Sequence, residues 1–125
     1  MREERIKAFF QFVKCAILNN NVNAQEVLAE ALRLDVKMFA PLILCELLFD
    51  CKICEQIKTY KQCFYLLCEN DLQATKYLLK GIEFVIWLYP ETLVPQAPLI
   101  MKELCDACLI TDKQVTKKWL KMFDV

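Results

Sequence analysis

Between residues 71 and 89 the chain changes character within one helix-length run. Thr75, Lys76 and Lys80 give its first half a polar side, whereas Ile82, Phe84, Val85, Ile86, Trp87, Leu88 and Tyr89 point apolar groups in nearly every direction. A helix that is apolar all round is one that other helices surround, so this run is predicted to be the central helix of the fold. Asp71 can accept hydrogen bonds from the free N–H groups of the first turn. Pro90 sets the far limit, because the residue before a proline is driven out of the α region. The lone glycine of the chain, Gly81, falls inside this helix, where it costs about 1 kcal/mol against alanine. Close approach of a neighbouring helix is the reason to keep it there.

The same periodicity predicts helices on both sides. Residues 2–18 set Ile6, Phe9, Phe10, Val13 and Ile17 on one face, with Arg5, Lys7 and Lys14 elsewhere. The triplet Asn19, Asn20 and Asn21 closes that helix. Asn23 followed three residues later by Glu26 forms a capping-box-like start for a second, to residue 34, burying Val27, Leu28, Ala31 and Leu34. A third helix is expected over 36–49, with Pro41 tolerated in its first turn or displacing its start. Over 51–69, Ile53, Ile57, Tyr60, Phe64 and Leu67 recur at steps of four and three, while Lys52, Lys58 and Lys61 occupy the other side. After Pro90 a loop is expected through Val94. A helix over 95–107 follows, striped by Met101, Leu104, Cys105 and Cys108. Thr111 with Gln114 signals the start of a last helix, burying Val115, Trp119, Met122 and Phe123 and carrying Lys113, Lys117 and Lys121 behind them. Seven short antiparallel helices joined by tight loops imply an all-α fold, either a solenoid of stacked hairpins or a compact bundle.

Composition narrows the picture. With 125 residues, the chain fits one domain spanning 1–125. One glycine and four prolines leave too few turns for a sandwich or barrel. Sixteen basic and sixteen acidic residues cancel, so no global field draws the chain to nucleic acid or membrane, and any charge recognition must be local. No apolar run approaches the roughly 20 residues of a bilayer span, and the first residues, M-R-E-E-R, lack a signal-peptide core. Eight cysteines in such a chain read as reduced thiols of the cytosol or nucleus.

The absence of histidine removes Ser-His-Asp and Cys-His catalysis and most zinc enzymes, and a single glycine cannot build a phosphate-cradling loop. The pairs Cys51-x-x-Cys54 and Cys105-x-x-Cys108 have the internal spacing of a four-thiolate zinc site. They are separated by about 50 residues, more than a finger or ribbon uses, and lie in or beside helices without knuckle glycines. The lysine rows are either solvated faces or an interface.

Several consecutive segments carry a resemblance: E-E-R-I, then A-L-R-L-D-V-K-M-F-A-P-L-I-L-C-E-L-L-F-D, K-I-C-E-Q-I-K-T-Y, A-T-K-Y-L-L-K-G-I-E, and P-L-I-M-K-E-L-C-D-A-C-L-I-T-D-K-Q-V with Trp119. In this order, from Glu4 to Trp119, they resemble the two-tryptophan HEAT-like C-terminal domain of eukaryotic translation initiation factor 5. The resemblance implies a HEAT-like α-solenoid acting in the cytoplasm as a non-catalytic adaptor of the preinitiation complex. Its implied partners are the beta subunit of initiation factor 2, initiation factor 1 and initiation factor 3, with no membrane, cofactor or sequence-specific nucleic-acid contact. The family's basic surface carries over as Lys52, Lys58, Lys61, Lys76 and Lys80. Its first aromatic-acidic box carries over as Glu103, Asp106, Asp112 and Trp119. Where that box is densely acidic the chain has Lys113, Lys117 and Lys118. Cys105 stands for an aromatic residue, and Cys51, Cys54 and Cys108 stand where the family has charges. The second box is not found before Val125. Relatives of the domain also serve as mimic-type competitors for factor 2 and, in the epsilon subunit of factor 2B, in nucleotide exchange, so both are alternatives.

Overall fold

A computed structural model describes residues 1–111 and 113–123, and for residues 113–115 the helical backbone only. The described residues form helices and connecting turns with no strand. The helices are α1 (Arg2–Leu18), α2 (Ala24–Arg33), α3 (Ala40–Leu48), α4 (Ile53–Cys68), α5 (Leu72–Leu88), the single turn α6 (Pro90–Leu93), α7 (Ala97–Asp106) and α8 (Lys113–Lys121). Two expected boundaries move. Pro41 displaces the start of α3, so residues 36–39 form turns and the helix begins at Ala40. The expected loop after Pro90 is instead helical, because proline at the first position of a helix lacks only an N–H that would be unpaired anyway.

Contacts sort the helices into two layers. In one, α1 lies on α3 and α3 on α5; in the other, α2 lies on α4 and α4 on α7. Side-chain pairs give the direction within each layer. Lys37 meets Asp71, Phe39 meets Tyr77 and Cys45 meets Gly81, so α3 and α5 run parallel. This is the arrangement of successive hairpins in a HEAT-like solenoid, where each hairpin buries its apolar face only against its neighbours.

The most extensive contact joins α3 and α5. A Cβ at Gly81 would lie 2.7 Å from both Cβ and Sγ of Cys45 and 3.3 Å from Cα of Leu42, so glycine is the residue that lets these helices meet. Asp71 caps α5 by accepting the Ala74 N–H at 3.0 Å, and Asn23 caps α2 by accepting the Glu26 N–H at 3.0 Å. Lys37 ties the turn before α3 to the α4–α5 corner, donating to the Leu67 carbonyl (2.7 Å) and to Asp71 Oδ2 (2.9 Å).

With its glycine used inside a helix, the chain ends helices on other residues. Asn20, Asp35, Asn70 and Cys108 take left-handed φ values of 52°, 56°, 56° and 61°. Around three of them an N–H closes back on the carbonyl five residues earlier, Asn21 on Ala16, Val36 on Ala31 and Leu109 on Leu104, as in a Schellman motif. Asparagine and aspartate bear this conformation better than most residues, and cysteine does not share that tolerance.

The core includes Phe9, Leu44, Ile57, Phe64, Ile82, Ile86 and Leu104, all essentially inaccessible. Seven expected burials are corrected. Phe84, Trp87, Leu88 and Tyr89 are exposed although Phe123 packs against Trp87, so the central helix is surrounded only in part. Met122 is likewise exposed. Cys105 and Cys108 are also exposed; α7 buries Ala97, Ile100, Met101 and Leu104 instead.

Candidate functional site

The basic row of α4 and the acidic positions of α7 meet. Lys58 Nζ lies 3.8 Å from Glu103 Oε1 and 3.6 Å from Glu55 Oε1, and Lys102 lies 3.6 Å from Asp106. Lys58, Lys61, Lys102, Glu103 and Asp106, floored by Ile57 and Ala107, line a concavity of about 330 Å³. Parts of two surfaces distinct in the sequence, Lys58 and Lys61 of one and Glu103 and Asp106 of the other, thus meet in one mixed-charge cleft. Glu103 keeps only 12% of its side chain exposed, so Lys58 neutralises a largely buried carboxylate while holding more than half of its own side chain in solvent.

The remaining lysines lie apart from this cleft. Lys52 is exposed at the start of α4. Lys76 and Lys80 project from α5, in the other layer; Lys76 lines a second cleft of about 630 Å³ with Glu69, Asn70 and residues 108–111. Lys80 Nζ sits 5.1 Å from the Tyr77 ring centroid. The five lysines therefore do not form one cluster.

Trp119 lies inside the fold, 4% exposed, packing edge-on to Phe123 at 4.8 Å between centroids. Its indole N–H is buried short of hydrogen-bonding geometry with any partner. Burial raises the Glu83 carboxyl pKa, and the nearby indole and Lys80 offset part of that rise. Phe123 packs in turn against Trp87, with ring centroids 5.4 Å apart and planes tilted by 32°, and it is Trp87 that reaches solvent. Asp112 and the side chains of Lys113, Gln114 and Val115, hence also the expected cap of α8, lie outside the described residues.

The cysteine pairs do not converge. Cys54 Sγ lies 4.0 Å from Gln96 Oε1 and, further along both helices, Lys58 meets Glu103, so α4 and α7 run parallel. Cys51 and Cys54 begin α4 whereas Cys105 and Cys108 end α7, which sets the pairs about 10 Å apart along the helices. Among the described residues no three His, Cys, Asp or Glu side chains could hold an ion together. Burial raises the thiol pKa of Cys45, Cys54 and Cys63, and pushes that of Cys68 up to about 12. Such thiols stay protonated and unreactive at neutral pH. No described helix is long and apolar enough to cross a membrane.

These features define a class: a HEAT-like stack of helical hairpins that presents charged clefts, with no convergent catalytic or metal-binding set among its described residues. No protein-family model matches the chain. It is 42% identical over 119 residues to eukaryotic translation initiation factor 5 of Mus musculus, covering 94% of this chain and 28% of that protein. The Rattus norvegicus factor is 41% identical over the same share of the chain, and that of Drosophila melanogaster 30% identical over 121 residues. The chain is thus homologous to a segment of translation initiation factor 5 and spans about a quarter of the length of these relatives. This agrees with the resemblance to that factor's C-terminal domain.

Proposed function

We propose that this chain is a single non-catalytic HEAT-like interaction module of cytoplasmic translation initiation, which helps assemble the preinitiation complex by binding the beta subunit of initiation factor 2, initiation factor 1 and initiation factor 3. The observation that carries the reading is 42% identity to initiation factor 5 across nearly the whole chain. The mixed-charge cleft between α4 and α7 supports it as a contact surface, since complementary charge steers and orients association. Exposed Lys117 and Lys118 repel a lysine-rich partner and weaken that contact, and salt screens this repulsion.

Titration of the purified chain against the lysine-rich region of the factor 2 beta subunit, and separately against factor 1, tests the proposal. Absence of binding to both at low salt refutes it. Lys61→Glu should weaken factor 1 binding without unfolding the domain, because exposed substitutions shift stability by about 0.5 kcal/mol or less. Lys58→Glu is a poorer test, since it sets a second carboxylate beside the largely buried Glu103 and perturbs the fold itself.

A further inference from the structure

The outer face of α5 carries a stripe that the mixed-charge cleft does not use. Lys76, Lys80, Phe84 and Leu88 follow one another at intervals of four residues, and Trp87 flanks the last two. All are exposed: Phe84 by 45%, Trp87 by 54% and Leu88 by 55%. Residues four apart lie on one side of a helix, so the stripe is basic at its N-terminal end and apolar at its C-terminal end. Neither lysine has an ion-pair partner within 4.0 Å among the described residues. Trp87 is held from behind by Phe123, which presents its indole at little conformational cost on binding. Glu83, beside the stripe, is half-buried and faces Trp119.

We infer that this face of α5 docks an acidic amphipathic helix of a partner protein, which lays apolar side chains on Phe84, Trp87 and Leu88 and carboxylates on Lys76 and Lys80. The inference rests on the interaction-module reading and adds a second surface with its own partner chemistry, opposite in sign to a lysine-rich segment. Charge complementarity selects this occupant. A second copy fits poorly: a two-fold axis along the helix would oppose lysine to lysine, and one across it would press ammonium groups onto the apolar end. Single-stranded RNA fits less well, because Trp87 has one face covered and Phe84 is the only other exposed aromatic ring of the stripe.

The two tryptophans provide the readout, since Trp87 is open and Trp119 buried, so occupancy should shield Trp87 from a collisional quencher. The titrant is a synthetic helical peptide with Leu and Phe on one face and Glu on the other. Binding with quencher protection is expected, weakened tenfold or more by Phe84→Ser with Leu88→Ser and, separately, by Lys76→Glu with Lys80→Glu. Each variant is first shown to keep the wild-type circular dichroism and melting temperature. Trp87→Phe should abolish the protection, assigning the shielded fluorescence to this face, and weaken binding in a calorimetric titration. Wild-type affinity in either double variant, equal binding of a peptide with Lys in place of Glu, or self-association lost in Phe84→Ser with Leu88→Ser would overturn the inference. So would a Lys80-dependent preference for an RNA oligonucleotide. Failure here with intact factor 1 binding rejects the α5 face alone, and the converse rejects the initiation-factor reading alone.

Discussion

Replacing Gly81 by alanine sets two effects of known size against each other. In an open helix the change is favourable by about 1 kcal/mol, because glycine gives up more backbone freedom on folding. Here the new methyl would stand 2.7 Å from Cβ and Sγ of Cys45 and 3.3 Å from Cα of Leu42. Cβ and Cα cannot rotate away, so α3 and α5 must separate along their most extensive contact. Overpacking costs about 1–3 kcal/mol, and a clash with backbone-linked atoms belongs at the upper end. The net expectation is a loss of about 2 kcal/mol, which for a domain of this size lowers the melting temperature by about 8 °C. Thermal and urea unfolding followed at 222 nm would measure it, with an unchanged urea slope. In a Cys45→Ala background, where the Sγ contact is gone, the penalty should shrink by about 1 kcal/mol, a coupling typical of touching residues. A Gly81→Ala protein as stable as its parent would refute the claim that this glycine sets the spacing of the two helices.

Asp71→Ala removes the cap of α5 and the partner of Lys37, and should cost about 1–2 kcal/mol. The Ala74 N–H and then the Lys37 ammonium hold the Asp71 pKa below its ordinary 3.8. Its contribution is therefore full above pH 3.8 and lost as pH falls through the lowered folded value, so wild type and variant should converge in acid unfolding there. Glu83 behaves oppositely: burial raises its pKa above 4.5, so its ionised form destabilises the fold at neutral pH, and the penalty fades as pH falls through the raised folded value and is gone below 4.5. Glu83→Gln should raise the melting temperature at pH 7 and leave it unchanged at pH 4. Cys108→Gly should stabilise by about 1 kcal/mol in urea unfolding, because the left-handed backbone at φ 61° suits glycine.

Capping and termination were legible because they are local. Asn23 and Asp71 start helices where spacing predicts, Pro41 and Pro90 mark interruptions, and the four-and-three repeat of α4 names a buried face that α4 presents to its neighbours. The reason for Gly81 was legible as well, though its partner was not. Trp87 and its neighbours were misread because apolar residues on every side of a helix were equated with helices on every side. The continuing step of four from Lys76 and Lys80 to Phe84 and Leu88 was the available sign that these apolar groups share the solvent face of the lysines.

The linear chain by itself determined the principal helices, the caps at Asn23 and Asp71, and that catalysis by histidine is excluded, because these follow from interactions over a few residues and from composition. Which lysine meets which carboxylate was decided only by stacking. Lys58 and Glu103 lie 45 residues apart and are joined because α4 and α7 pack in parallel, a geometry set by contacts of the whole core. The same stacking drew Trp119 inward and left Trp87 outside. A side chain's exposure depends on what the distant chain lays over it, and no local pattern carries that information.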